Sequence, residues 1–250
     1  MPRSPQTHPV IVQAGMSARG RDLAARHAEV VFSLAPSLPA MQEHYADVKG
    51  RLSKFGRHPE DVAVLPAVMP IVGTSEAEAE EKYATMQSIA TVEAGLNWVS
   101  GYTGWDFSSV DPGTPLSKLD PTRFYGVQSA FGSANPRPGD LDSTPYMRKG
   151  PQSAAPTVAD LGLAHAEGIA PKIVGTPTQI ADQLEQIVDA DGGDGFMVSA
   201  IHHPVSVEEF APVVAELQRR GRFRTAYEGR TLRDRLGTRP LPFAPRPALA

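Results

Sequence analysis

Two periodicities organise the chain. Short apolar, β-branched runs stopped by glycine or proline predict buried strands at Pro9–Gly15 (PVIVQAG), at Val30, Val31 and Phe32, at Val62–Gly73 (VAVLPAVMPIVG) and at Phe196–Ile201. Between them the period lengthens to that of a helix. Leu38, Met41, Tyr45, Val48, Leu52 and Phe55 recur at spacings of three and four, which places them on one face, with Gln42, Glu43, Asp47, Lys49 and Lys54 elsewhere and Gly56 as the stop. Arg19–Glu29 reads as an earlier helix. Ser75 and Glu78 form a capping box for a helix running through Tyr83, Met86 and Ile89. After Ile173, Val174 and Gly175, Thr176 is the N-cap, Pro177 the first helical residue and Gln179 the partner in a second box, for a helix presenting Ile180, Leu184, Ile187 and Val188. Ser206 and Glu209 predict the cap of a last helix, with Phe210, Val213, Val214 and Leu217 on its face and Gly221 closing it.

The unbroken hydrophobicity of Val62–Gly73 predicts burial on both faces, as in a parallel sheet. Pro66 and Pro70 remove ladder donors there and predict an irregular or terminal portion. The element order is β-α-β-α-β-α, a long insert, then α-β-α. Such alternation implies an α/β fold with parallel strands. About four strands are predicted, half of what a (β/α)8 barrel requires. The reading is one partial domain over 1–250, interrupted by a Pro/Gly-rich insert over 97–170 and followed by a basic, proline-bearing tail over 222–250. An insert of that length exceeds an ordinary connection.

Composition narrows the chemistry. The 250 residues include no cysteine, which excludes disulfides, thiolate zinc sites, iron–sulfur clusters and a cysteine nucleophile. A net charge of −4, from 24 basic and 28 acidic residues, argues against a general nucleic-acid binder. No run approaches the ~20 apolar residues of a membrane span, and polar Met1–His8 lacks the apolar core of a signal peptide, so a cytoplasmic protein is expected. The 24 prolines are nearly twice the ~5% average usage, and much of the excess lies in the insert and tail.

The most informative candidate site is the first strand–turn–helix, Val12-Gln13-Ala14-Gly15-Met16-Ser17-Ala18-Arg19-Gly20. A glycine at the strand end lets backbone approach a ligand closely, and the free N–H groups of the next helix, with the Ser17 hydroxyl, can hold a phosphate. The same residues equally suit a plain cap and turn. The spacing is neither a dinucleotide fingerprint nor a Walker loop, which lacks its lysine here. The acidic turn Asp189–Asp194 fails the EF-hand pattern, because Asp194 stands where glycine is required and Ala200 where glutamate is. His202 and His203 follow a strand's C-terminal end, where α/β enzymes place ligands, but adjacent histidines on extended backbone point to opposite sides and make a poor metal pair. One imidazole lining a pocket and two merely packed imidazoles are both compatible with that position. Trp98, Tyr102, Trp105 and Phe107 form either a substrate-facing wall or the packing of the insert.

PVIVQAG followed by S-x-x-GRDLAARHAEVVF resembles the middle of the flavin-dependent monooxygenases of the luciferase-like superfamily, in the branch of nitrilotriacetate, dibenzothiophene-sulfone and long-chain alkane monooxygenases. The similarity continues through EHYADVKGRLSKFGRHPEDVAVLPAVMPIVGTSEAEAEEKY, VGTPTQIADQLEQIVDADGGDGFMVSA and EEFAPVVAELQRRGRFRTAYEGRTLRDRLG. These collinear blocks speak against a different phosphate-binding barrel enzyme, such as an isomerase or lyase.

The resemblance implies the C-terminal half, about strands 5–8, of a (β/α)8 barrel that uses FMN, as FMNH2, and oxygen to oxidise a small organic substrate. A separate NAD(P)H-dependent flavin reductase would supply the reduced flavin. It also implies cofactor-phosphate contacts at Ala14, Gly15, Met16 and Ser17, although the family usually has a small hydroxyl residue where Met16 stands. Relatives carry about four further βα units, which make most contacts to the flavin ring, so no catalytic acid or base carries over. Trp98, Trp105 and His202 remain candidates for contacting substrate. An N-terminally truncated enzyme is expected, completed by a partner chain or a second copy. The alternative is a non-catalytic flavin- or phosphate-binding module.

Overall fold

The computed structural model describes residues 5–6, 8–35, 37–120, 156–168, 170–201 and 204–237. Five parallel strands, β1 (Val12–Gln13), β2 (Val30–Ser33), β3 (Ala63–Val72), β4 (Lys172–Gly175) and β5 (Met197–Val198), form one sheet. The helices are α1 (Ala18–His27), α2 (Leu38–Arg51), α3 (Glu76–Ile89), α4 (Val92–Thr103), α5 (Val158–Ala166), α6 (Pro177–Asp189), α7 (Val205–Arg219) and α8 (Leu232–Leu236). This is the parallel α/β architecture expected of a (β/α)8-type arc.

β3 is the central strand, and the alternation of its backbone explains the layout. Odd-numbered positions bond toward one edge: Ala63 N–H donates to Glu29 C=O, and Met69 N–H to Pro171 C=O. β2 (Val30↔Ala63) and β4 (Met69↔Lys172) therefore lie end to end along the same edge of β3. Even-numbered positions face the other edge, where Val64 and Val68 bond Asp194 and Ser199. β5 pairs there (Ala67↔Met197). Pro66 and Pro70 are even-numbered, so their missing N–H groups face the sparsely paired β5 edge. The strand consequently runs unbroken through both prolines instead of becoming irregular.

Three other expectations are corrected. The sheet has five strands, because Lys172–Gly175 adds a short β4. β1 and β5 are two residues each, well short of Pro9–Gly15 and Phe196–Ile201. Each has a strand neighbour on one side only among the described residues. Finally, α7 starts at Val205 with Pro204 as its N-cap, so Ser206 is not the cap.

Two core clusters pack helices onto one face of the sheet, the face presented by the even-numbered residues of β3. Ala24, Ala25, Val31, Val48, Leu52 and Val64 join α1 and α2 to β2 and β3, while Met41, Val68, Ile173, Ile180, Leu184 and Val213 join α2, α6 and α7 to β3 and β4. Residues 92–120 and 156–166 build a separate apolar cluster in which α4 packs on α5 around Phe107, Leu116 and Leu161. The helix axes come very close because two glycines face each other: a Cβ on Gly95 would stand 1.6 Å from the Gly162 carbonyl oxygen.

Candidate functional site

The turn between β1 and α1 is closed by a local network. Ser17 has extended backbone (φ −66°, ψ 159°), and its Oγ accepts from the Gly20 N–H at 3.1 Å. The Ser17 carbonyl accepts from the Arg21 N–H at 2.8 Å. The N–H groups of Ala18 and Arg19, in the first helical turn, have no upstream helical carbonyl to bond. Capping occupies one lone pair of Ser17 Oγ and leaves its O–H as a donor. The first turn holds Arg19 and no acidic residue, and Arg21 follows at its end. Positive charge at a helix N-terminus is unfavourable until an anion arrives.

Two glycines let the loop fold onto the helix start. A Cβ on Gly20 would lie 2.9 Å from Gly15 C and O, and one on Gly15 would lie 2.4 Å from Gln13 Nε2 and 3.1 Å from Gly20 Cα. Gln13 Oε1 accepts from the Gly15 N–H at 2.8 Å, so the strand's last side chain braces the loop. Ala14 is exposed. The Met16 side chain instead packs against the core cluster of Met41 and Ile173, and Met16 offers only its peptide to the turn. That peptide is fixed from α1: Arg21 Nε donates to Met16 C=O at 2.8 Å, while Arg21 Nη1 donates to Asp47 Oδ2 at 2.9 Å. Arg51 Nε also bonds Asp47 Oδ2 at 2.9 Å, and its Nη1 reaches Asp22 at 2.6 Å. Burial acts to raise the Asp47 pKa, but the hydrogen bonds from Arg51 and Arg21 outweigh it and hold the carboxyl below its usual range.

The structure brings Ala14, Gly15, Met16 and Ser17 together at this turn. The other candidates lie elsewhere or undescribed. Trp105 packs on Phe107, with ring centroids 5.0 Å apart, against the α4–α5 cluster. Trp98, half-exposed, lies with its ring 5.6 Å from that of His165. The Tyr102 side chain, His202 and His203 lie outside the described residues. Among the described residues no group of three or more His, Cys, Asp or Glu could hold a metal ion. No helix there is long and apolar enough to cross a membrane. A cavity of about 500 Å³ lies between the end of α7 and the C-terminal segment, lined by Phe223, Arg224, Tyr227 and Arg235 and by none of the predicted residues.

Sequence reasoning missed Arg21 and Asp47. Asp47 was visible only as a polar position off the apolar face of α2, and it lies 26 residues from the arginine it bonds. Gln13 had a local signal, a long amide two residues before a glycine, that points to side-chain bracing of a turn.

The sequence profile of the luciferase-like monooxygenase family matches residues 1–194. The chain belongs to that family. It is 40% identical over 252 residues to nitrilotriacetate monooxygenase component A of Aminobacter aminovorans, covering 95% of this chain and 50% of that protein. It is 37% identical over 250 residues to dibenzothiophene-sulfone monooxygenase of Rhodococcus erythropolis, covering 96% and 51%. Among solved structures it superposes on DmoA from Hyphomicrobium sulfonivorans with a TM-score of 0.76 and 32% identity, over 94% of this chain and 47% of that one. A riboflavin lyase, RcaE, determined with modified FMN and riboflavin, matches with a TM-score of 0.75 and 29% identity, over 94% and 48%. The chain thus spans about half the length of the curated relatives it matches.

Proposed function

We propose that this luciferase-like chain holds the phosphate of FMN at the Gly15–Gly20 turn and contributes this part of the site to an FMNH2- and oxygen-dependent monooxygenase acting on a small organic substrate. The observation that carries the reading is the turn itself. Gly20 stands so close to Gly15 that a Cβ on it would collide with the Gly15 backbone, and the Ser17 hydroxyl and the N–H groups of Ala18 and Arg19 belong to the same turn. This donor set suits a phosphate dianion. Bound reduced flavin supplies the oxygen chemistry. The chain's own part is to anchor the cofactor at its phosphate end, through the Ser17 O–H and backbone donors, and so to fix where the ring can lie.

The reading also calls for partners. Ile11 and Val12 beside one sheet edge and Met197 and Val198 at the other are exposed apolar residues. A segment bearing further βα units, or a second copy, would cover them and complete the barrel. A flavin reductase is the proposed source of FMNH2, in a cytoplasmic setting. Trp98, Trp105 and His202 stay as proposed substrate contacts. The half-length coverage and the uncovered edges support a second reading, a phosphate- or flavin-binding module without turnover.

Titration of the purified chain with FMN and with FMNH2, followed by oxygen-uptake assays with a flavin reductase, NADH and candidate sulfones, amines and alkanes, tests both. Flavin binding with substrate-dependent turnover supports the monooxygenase. Binding without turnover supports the module. No binding at millimolar FMN overturns the cofactor assignment.

A further inference from the structure

The Met16–Ser17 peptide is held from behind. Arg21 Nε donates to the Met16 carbonyl, and the Arg21 guanidinium is itself held by Asp47, 26 residues away on α2. In a planar trans peptide the C=O and the following N–H point in opposite directions. Fixing the Met16 carbonyl toward α1 and α2 therefore aims the Ser17 N–H out of the turn, on the side where the helix's free donors begin. We propose that Arg21 and Asp47 are positioning residues for the cofactor phosphate, acting through the Met16–Ser17 peptide and not by touching the phosphate. This deepens the FMN reading above and rests on it.

Three features favour a positioning role over direct binding. First, Arg21 is committed: two of its nitrogens are bonded, and the Asp47 carboxylate beside it offsets its charge. Second, the same Asp47 Oδ2 also accepts from Arg51, which in turn reaches Asp22 and the Ala18 carbonyl on α1. The relay is thus anchored at two points on α1 and one on α2. Third, the Met16 side chain is spent in the core, so its peptide cannot swing without unpacking Met16. A lysine at position 21 keeps the charge but lacks the planar fork that bonds a carbonyl and a carboxylate at once.

The test compares FMN with riboflavin, which lacks the phosphate, by fluorescence titration of the full chain and of Arg21→Lys, Arg21→Gln and Asp47→Asn, with urea unfolding to confirm that each variant is folded. The parent is expected to prefer FMN. Each variant is expected to lose about tenfold in FMN affinity, the size of one charge-assisted hydrogen bond, with riboflavin affinity unchanged. Arg21→Lys should fall nearly as far as Arg21→Gln. Asp47→Asn is nearly isosteric and serves if the Arg21 variants do not fold. Full FMN preference in Arg21→Lys alongside its loss in Arg21→Gln would mean that charge alone matters, and would overturn positioning. A parent that prefers FMN, with every folded variant doing the same, overturns the relay alone. A parent that binds both flavins equally, or neither, removes the phosphate reading and the relay with it.

Discussion

Arg233 of α8 donates to the carboxylate of Glu29, a residue at the foot of β2 whose side chain is fully enclosed. Glu29 also accepts from the Ile11 N–H at 3.2 Å, and Arg233 Nη2 reaches the His8 carbonyl at 3.0 Å. α8 thereby ties down the entry to β1, just ahead of the Gly15–Gly20 turn. Arg233→Ala leaves an uncompensated buried carboxylate and should cost about 3–5 kcal/mol in urea unfolding, whereas Arg233→Lys should cost less. Burial pushes the Glu29 pKa up, but the Arg233 hydrogen bond prevails and holds it below its usual range. A carboxyl depressed in the folded state stabilises above its unfolded pKa and loses that contribution as the pH falls through the folded one. The Arg233→Ala penalty should therefore shrink on acidification. A penalty independent of pH would show that the ion pair is not its source.

Ser17→Ala should do two separable things. Loss of the cap to Gly20 should lower stability by about 1 kcal/mol. Loss of the hydroxyl donor should weaken FMN by about fivefold to tenfold while sparing riboflavin. Ser17→Thr should restore both. Unchanged FMN affinity in Ser17→Ala would refute the assigned role.

Both tryptophans of the chain, Trp98 and Trp105, sit in the α4–α5 unit, so tryptophan emission reports on that unit alone. A Cβ on Gly162 would meet the Val92 carbonyl at 2.7 Å and Leu96 Cγ at 3.0 Å. Gly162→Ala should force the helices apart, at a cost of about 1–3 kcal/mol local to the unit. Emission should move to the red and unfold earlier than the far-UV circular dichroism of the whole chain. A single coincident transition at the parent midpoint would contradict this.

How much of this was legible follows from the range of each interaction. Ser17, Ser75 and Thr176 were readable as caps because a cap joins residues three apart, and each makes that bond. Ser206 and Glu209 carry the same signature and mislead, because Glu209 is taken by Lys82, 127 residues away. The extents of β1 and β5 depend on the neighbouring strands, not on their own apolar runs. At the candidate site the glycines and Ser17 were visible in one short segment. The Arg21–Asp47 bond was not, because it needs the packing of α1 on α2 before the two residues meet.

Asp194 carries a role that its acidic turn conceals. Its Oδ2 accepts from the Val64 N–H at 2.7 Å and pairs with Lys49 at 2.8 Å, while Oδ1 accepts from the Tyr45 hydroxyl at 3.0 Å. The carboxylate thus completes the β3 ladder where no strand does. Asp194→Ala should cost about 2–3 kcal/mol by leaving the Val64 N–H unpaired. Millimolar calcium should leave the midpoint of the parent unchanged, and a rise on calcium addition would revive the metal reading of the turn.

His44 is the converse case, a buried polar side chain that stability would gain by losing. It is 1% exposed on the inner face of α2, between Met41 and Val48, and neither ring nitrogen has a hydrogen-bond partner. Burial, seconded by the nearby Arg21 cation, lowers its pKa to about 4. The unfolded chain, with an ordinary imidazole near 6.5, binds the proton between those values while the folded one does not. Stability should therefore rise with pH from about 4 to about 6.5, by roughly 3 kcal/mol from this group. His44→Leu is close in volume, removes the orphaned nitrogens and should raise stability at neutral pH by about 1–2 kcal/mol. It should also flatten the acid limb of the stability profile. Urea midpoints across that pH range, for parent and variant, decide the matter. An acid limb of equal slope in both would place the proton uptake on other groups, and a destabilised variant would show that His44 has a partner in solution.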